Sequence, residues 1–155
     1  MKIKILWPGK TENKELKSLG KFYLDRINQM IDCQVIETKE VKGIKEKFIE
    51  KIKQKEAEGL EKYIKDNYII CLTDRGKEMT SNEFAQFLGK LSQTSPKGII
   101  FIVGGFAGLS EKIIEQADYL LSLSKMTFSH ELTRVVLLEQ IYRGISILRR
   151  RKYAK

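Results

Sequence analysis

The segment Ile99-Ile100-Phe101-Ile102-Val103-Gly104-Gly105-Phe106-Ala107-Gly108 decides the fold. Its first half is the most strongly apolar run of the chain and follows the helix-stopping Pro96-Lys97-Gly98. A short continuous apolar run between turn residues reads as a strand buried on both faces, which is how the central strands of parallel sheets look. Its second half is a glycine turn at the carboxyl end of that strand, where missing Cβ atoms permit positive φ and close approach of the backbone to a ligand. The turn is not a dinucleotide fingerprint, because Gly104 and Gly105 are adjacent, and it is not a Walker loop, because no Gly-Lys-Ser/Thr follows. The plain structural alternative is a tight turn feeding a short helix that Ser110 caps and that ends near Gln116.

Outward from this segment, strands and helices alternate. Lys2 to Trp7 alternates lysine with apolar residues before Pro8-Gly9, which predicts a strand and a turn. Leu16, Leu19, Tyr23, Ile27 and Met30 recur at helical spacing, so a helix is expected over 13–30, weakened slightly by Gly20, with a strand over Cys33–Ile36. Residues 43–66 are dense in Lys and Glu, with Ile44, Phe48, Ile52, Leu60 and Ile64 mostly on one face, predicting one long exposed helix. Tyr68–Leu72 is an apolar strand ending in a turn over Thr73–Lys77, and Thr80 with Glu83 has the spacing of a capping box. Beyond the glycine turn come a strand over Asp118–Leu123, a loop over 124–129 and a final helix over His130–Leu148. Val135-Val136-Leu137-Leu138 makes that helix apolar on more than one face, so it is either deeply buried or packed against a second subunit. The βαβαβαβαβα order predicts an α/β domain spanning 1–155, a mainly parallel sheet with helices on both faces.

Composition bounds the function. The 155 residues carry 29 Lys and Arg against 20 Asp and Glu, a net charge of +9, which favours anionic partners such as nucleic acid or serves simple solubility. Cys33 and Cys71 sit in separate apolar runs and one histidine cannot complete a zinc site with them, so no metal is expected. Reduced buried thiols, no signal-peptide core and no run near the roughly 18 apolar residues of a membrane span place the chain in the cytoplasm, away from membranes.

Ligands in open α/β sheets bind beyond the carboxyl ends of the strands. Three segments end there: the turn after Leu72, the glycine turn after Val103, and Leu123-Ser124-Lys125-Met126-Thr127-Phe128. The last offers main-chain donors and acceptors between apolar side chains, suited to an adenine ring, or is an ordinary connection in which Ser129 caps the final helix. His130 and Arg134 are four residues apart and face the same way. Arg134 and Arg143 lie in apolar helical sequence and need an acidic or phosphate partner, for which Glu139 is an internal candidate. The terminal Arg149, Arg150, Arg151, Lys152 and Lys155 surround Tyr153, a pattern suited to phosphate contacts beside a stacking ring or to the negative end of a helix.

Taken in order, Gly104–Leu109, Leu121–His130 and Arg134–Arg143 resemble the RlmH (YbeA-like) family of SPOUT-class ribosomal RNA methyltransferases over essentially the whole chain. The resemblance implies an α/β-knot fold with a C-terminal trefoil knot, a homodimer, and methylation of N3 of a pseudouridine in large-subunit ribosomal RNA. It implies that Leu72, Gly104 and Leu123–Phe128 contact S-adenosylmethionine, with Gly105 and Gly108 shaping the same loop. RNA contacts fall to Arg149, Arg150, Arg151 and Lys152, and Tyr153, His130, Arg134 and Arg143 are the candidate catalytic residues. The chain departs from the family at Phe106-Ala107, and at Ala154, where the family has histidine. The second departure motivates an alternative: a catalytically weak relative that binds ribosomes or RNA.

Overall fold

A computed structural model describes residues 1–95 and 97–150. The elements follow the expected alternation: β1 (Lys2–Pro8), α1 (Lys14–Asn28), β2 (Asp32–Thr38), α2 (Ile49–Ile64), β3 (Tyr68–Lys77), α3 (Ser81–Thr94), β4 (Ile99–Ile102), α4 (Glu111–Ile114), β5 (Tyr119–Leu121) and α5 (His130–Leu148). The strands form one sheet in the order β2-β1-β4-β3-β5, and every pairing is parallel. The strand read as central is central: β4 lies between β1 and β3, with Phe101 opposite both Ile5 and Ile70.

Alternation along the strands sorts the core into two layers. Ile3, Ile5, Ile70, Ile99 and Phe101 face α1, α3 and α5. Leu6, Cys71, Ile100 and Ile102 face α2 and α4 through Ala57, Leu60, Ile64 and Ile113. Helices on both faces explain why all of β4 is buried. Burial also pushes the Cys33 and Cys71 thiols up to about 12, so both stay protonated. No described helix is long and apolar enough to cross a membrane.

Local capping is where the sequence placed it. Thr80 and Glu83 form a reciprocal capping box, and Ser110 and Ser129 cap α4 and α5. Other boundaries differ for identifiable reasons. Asn13 accepts from the Leu16 amide and starts α1 at Lys14, and the helix stops at Asn28, whose side chain turns back to the Cys33 backbone. The single helix expected over 43–66 begins instead with a 3-10 turn at Glu46–Phe48, and α2 proper spans Ile49–Ile64. β3 does not stop at Leu72. Both Leu72 and Lys77 pair with Leu121, so residues 73–76 leave and rejoin the ladder as an irregularity within the strand. β5 is correspondingly short, releasing Ser122 and Leu123 to the loop that follows.

α5 packs between α1 and α3. Leu137, Leu138, Ile141 and Ile145 are buried there, so apolar residues on more than one face are absorbed within this chain. Leu132, Ile147 and Leu148 remain exposed.

Candidate active site

Parallel topology brings the irregularity of β3 and the turns that follow β4 and β5 to one edge, where they share one cavity of about 660 Å³. That volume is in the range of small-molecule sites. Within β3 the wall is built by Leu72 and the irregular residues Thr73 to Arg75, and after β4 by Val103 to Phe106 with Gly108 and Leu109. The end of β5 and its loop add Leu121–Ser124 and Met126–Ser129, and His130 and Thr133 close the cavity from α5.

The loop after β5 is shaped by its own hydroxyls. Ser122 Oγ donates to the Ser124 carbonyl at 3.0 Å, and the Met126 amide donates to Ser124 Oγ at 2.9 Å. Met126 is 78% exposed and Phe106, on the glycine turn, 55%. These are the most exposed large apolar side chains among the described residues, and both stand on the cavity wall. Apolar groups held in water beside a cavity are what a flat aromatic ligand would cover.

The glycine turn closes on itself. A Cβ on Gly104 would lie 2.7 Å from the Gly108 carbonyl carbon, so only glycine permits this crossing, and Gly108 has φ +82°. The Gly108 amide donates to the Gly105 carbonyl at 3.0 Å. The space left by the missing Gly105 side chain faces Glu56 and Pro8, with Glu56 Oε1 3.3 Å from the Cβ position.

Glu56, on α2, carries no signal in the sequence, where it is one acid in a charged run. It is 5% exposed and its Oε1 has no hydrogen-bond partner in the structure. Burial pushes its carboxyl above the ordinary glutamate range, opposed by a hydrogen bond from the Val41 backbone and by the charge of Arg134. A raised carboxyl pKa stabilises the fold below the ordinary glutamate value, and that contribution is lost as pH rises through the raised one. Thermal melts should therefore show Glu56→Gln gaining on the wild type as pH rises above the ordinary glutamate value; parallel curves would contradict the burial cost.

Of the residues singled out from sequence, the structure brings Leu72, Gly104, Gly105, Gly108, Leu123, Ser124, Met126, Thr127, Phe128 and His130 to this cavity. Lys125 belongs to the same loop but does not line it. Burial and the neighbouring Arg134 hold His130 below the usual imidazole value, leaving it neutral near pH 7. Arg134 is 1% exposed and lies outside the lining. It donates to the Pro8 carbonyl at 2.7 Å and Thr11 Oγ1 at 3.1 Å, and stacks 4.8 Å over the Trp7 ring. Glu139 is therefore not its hydrogen-bond partner: Glu139 accepts from Arg143 at 2.7 and 3.0 Å, because the two face each other one turn apart on α5. Arg143 also lies outside the lining. Arg149 and Arg150 are exposed at the end of α5, while Arg151, Lys152, Tyr153 and Ala154 fall outside the described residues.

Comparison with known proteins agrees with this geometry. A family model described as "Predicted SPOUT methyltransferase" matches residues 1–154. The chain is similar to proteins named ribosomal RNA large subunit methyltransferase H from Clostridium kluyveri (40% identical) and Ureaplasma urealyticum (43% identical), with 100% of both chains covered in each case. Among solved structures, it resembles a probable methylase family protein from Haemophilus influenzae, with TM-score 0.59, 13% identity and coverage of 99% of this chain and 70% of that one. A probable methyltransferase from Bordetella pertussis also has TM-score 0.59, at 10% identity, covering 93% and 94% of the two chains. At such identities the two structures speak to fold alone.

Proposed function

This chain belongs to the SPOUT methyltransferase family, and from that premise we propose that it transfers the methyl group of S-adenosylmethionine to N3 of a pseudouridine in large-subunit ribosomal RNA. The observation that carries the reading is the cavity shared by the irregularity of β3 and the turns after β4 and β5. Its fit to the cofactor rests on apolar side chains beside a loop that carries the hydroxyls of Ser124 and Thr127, with Phe106 and Met126 exposed on its wall. Leu72, Leu123 and Phe128 would flank the adenosine, Ser124 to Thr127 would meet its polar edge, and Gly104 to Gly108 would border the remainder. S-adenosylmethionine supplies an electrophilic methyl group on a sulfonium sulfur.

The chain's own residues then position the acceptor base and deal with its imide proton. His130 stands on the cavity wall in neutral form, able to accept a proton. Arg134 acts on it from behind, since its charge helps to keep the imidazole neutral. Tyr153 and Arg143 remain candidates for stabilising the base anion, and Arg149 to Lys152 for contacts with phosphate, in keeping with the +9 charge. A homodimer is part of the proposal, supported by apolar Leu19, Phe22, Ile147 and Leu148 left exposed on α1 and α5. The C-terminal knot is another part, in keeping with the family to which the chain belongs. Action on ribosomes implies the cytoplasm.

Mass spectrometry of ribosomal RNA from cells with and without this protein tests the reading. One methyl should appear on a pseudouridine-containing large-subunit fragment only when the protein is present. Tight S-adenosylmethionine binding without any methylated product would favour the catalytically weak, ribosome-binding alternative.

A further inference from the structure

α2 passes the glycine turn and places Lys53 on the cavity wall. The Lys53 side chain is 24% exposed, and its Cε lies 3.8 Å from where a Cβ on Gly108 would stand. With Cε there, the ammonium stands beside the glycine turn, where an anionic partner could bond to it. The ion pair it has is weak: Glu50, one turn back at 3.5 Å, is itself 76% exposed. Of the other basic side chains on the wall, Arg75 is 57% exposed and hydrogen-bonded to Glu111 at 2.8 Å, and His130 is neutral. Lys53 is therefore the lining cation, among the described residues, best placed to meet an anionic group of a ligand.

The cavity wall thus joins apolar side chains, among them Leu72, Leu123 and Phe128, to a lysine beside the glycine turn. An adenosine carrying an amino-acid arm offers both a flat apolar part and an ionic one. We propose that Lys53 binds the α-carboxylate of the methyl donor's amino-acid arm, and so fixes the direction in which the donor lies in the cavity. The assignment rests on the reading of this cavity as the S-adenosylmethionine site.

Isothermal titration of the full chain and of Lys53→Met tests it with two ligands. S-adenosylhomocysteine carries the carboxylate; 5′-methylthioadenosine lacks the amino-acid arm. Lys53→Met should weaken S-adenosylhomocysteine about tenfold and leave 5′-methylthioadenosine within about twofold. Lys53→Arg should keep most of the affinity. Unchanged binding of S-adenosylhomocysteine, or equal loss of both ligands, overturns the assignment. So does intact cofactor binding with a salt slope for ribosomal RNA reduced by about one, which would give the lysine to a phosphate. A wild-type chain that binds neither nucleoside would instead bring down the reading of the cavity itself.

Discussion

Gly76→Ala is expected to lower the stability of the fold by about 3 kcal/mol and to abolish binding of adenosine ligands. A Cβ at this position would lie 2.5 Å from the Leu121 carbonyl carbon and 2.7 Å from both the Leu120 carbonyl carbon and the Leu121 nitrogen. These neighbours are backbone, so no side-chain rotation relieves the contact, and β5 must move away from β3. Leu121 ends β5 and Ser122 opens the loop that borders the cavity, so displacement at Gly76 reaches the ligand directly. Gly20→Ala is the control. Its Cβ would meet only Leu138 Cδ1 at 3.6 Å, and alanine in a helix interior is favoured over glycine by about 0.5–1 kcal/mol. Urea denaturation and ligand titration of both variants decide the matter; a Gly76→Ala protein with wild-type midpoint and affinity would refute it.

Arg134→Ala is expected to lower the melting temperature by about 10 °C, a loss of about 3 kcal/mol in a chain of this size. The truncation removes both hydrogen bonds of a buried cation, leaves the Pro8 carbonyl without its 2.7 Å donor, and opens a void beside Trp7. It also removes the positive charge that partly offsets the burial of Glu56. Lys should restore little, because a single ammonium cannot span two acceptors and stack on an indole as a planar guanidinium does. The same change should raise the His130 pKa toward its ordinary value, since Arg134 helps to depress it, and imidazole titration by NMR would show this in the folded fraction. A variant that melts within about 2 °C of the wild type would show that Arg134 is not holding the β1–α1 connection.

Periodicity and capping made most of the fold legible. The final helix begins and ends where its pattern does, at His130 and Leu148, because a serine cap and a long apolar pattern are both local signals. The extension of β3 to Lys77 was hidden, because Thr73-Asp74-Arg75-Gly76 reads as a turn and only the presence of Leu121 alongside returns it to the ladder. The site was legible in its loops, since strand ends in a parallel sheet point to one edge. Lys53 and Glu56 were not, because in a helix dense in Lys and Glu nothing local distinguishes the residues beside the glycine turn from those in water. Arg134 was recognised as needing a partner, but the partner proved to be backbone 126 positions away, which spacing along α5 cannot encode.

The amino-acid order by itself determined the alternation of elements, the parallel sheet, the central place of Ile99–Ile102 and the three turns from which a site could be made. These follow from side-chain periods and backbone sterics, which act over a few residues. Only the tertiary structure decided that the turns meet in one cavity, that Gly76 must clear the backbone of β5, and which charged groups of α2 and α5 lose their water. Those outcomes depend on contacts between distant segments, and burial sets the energy of a charge only once such contacts exist.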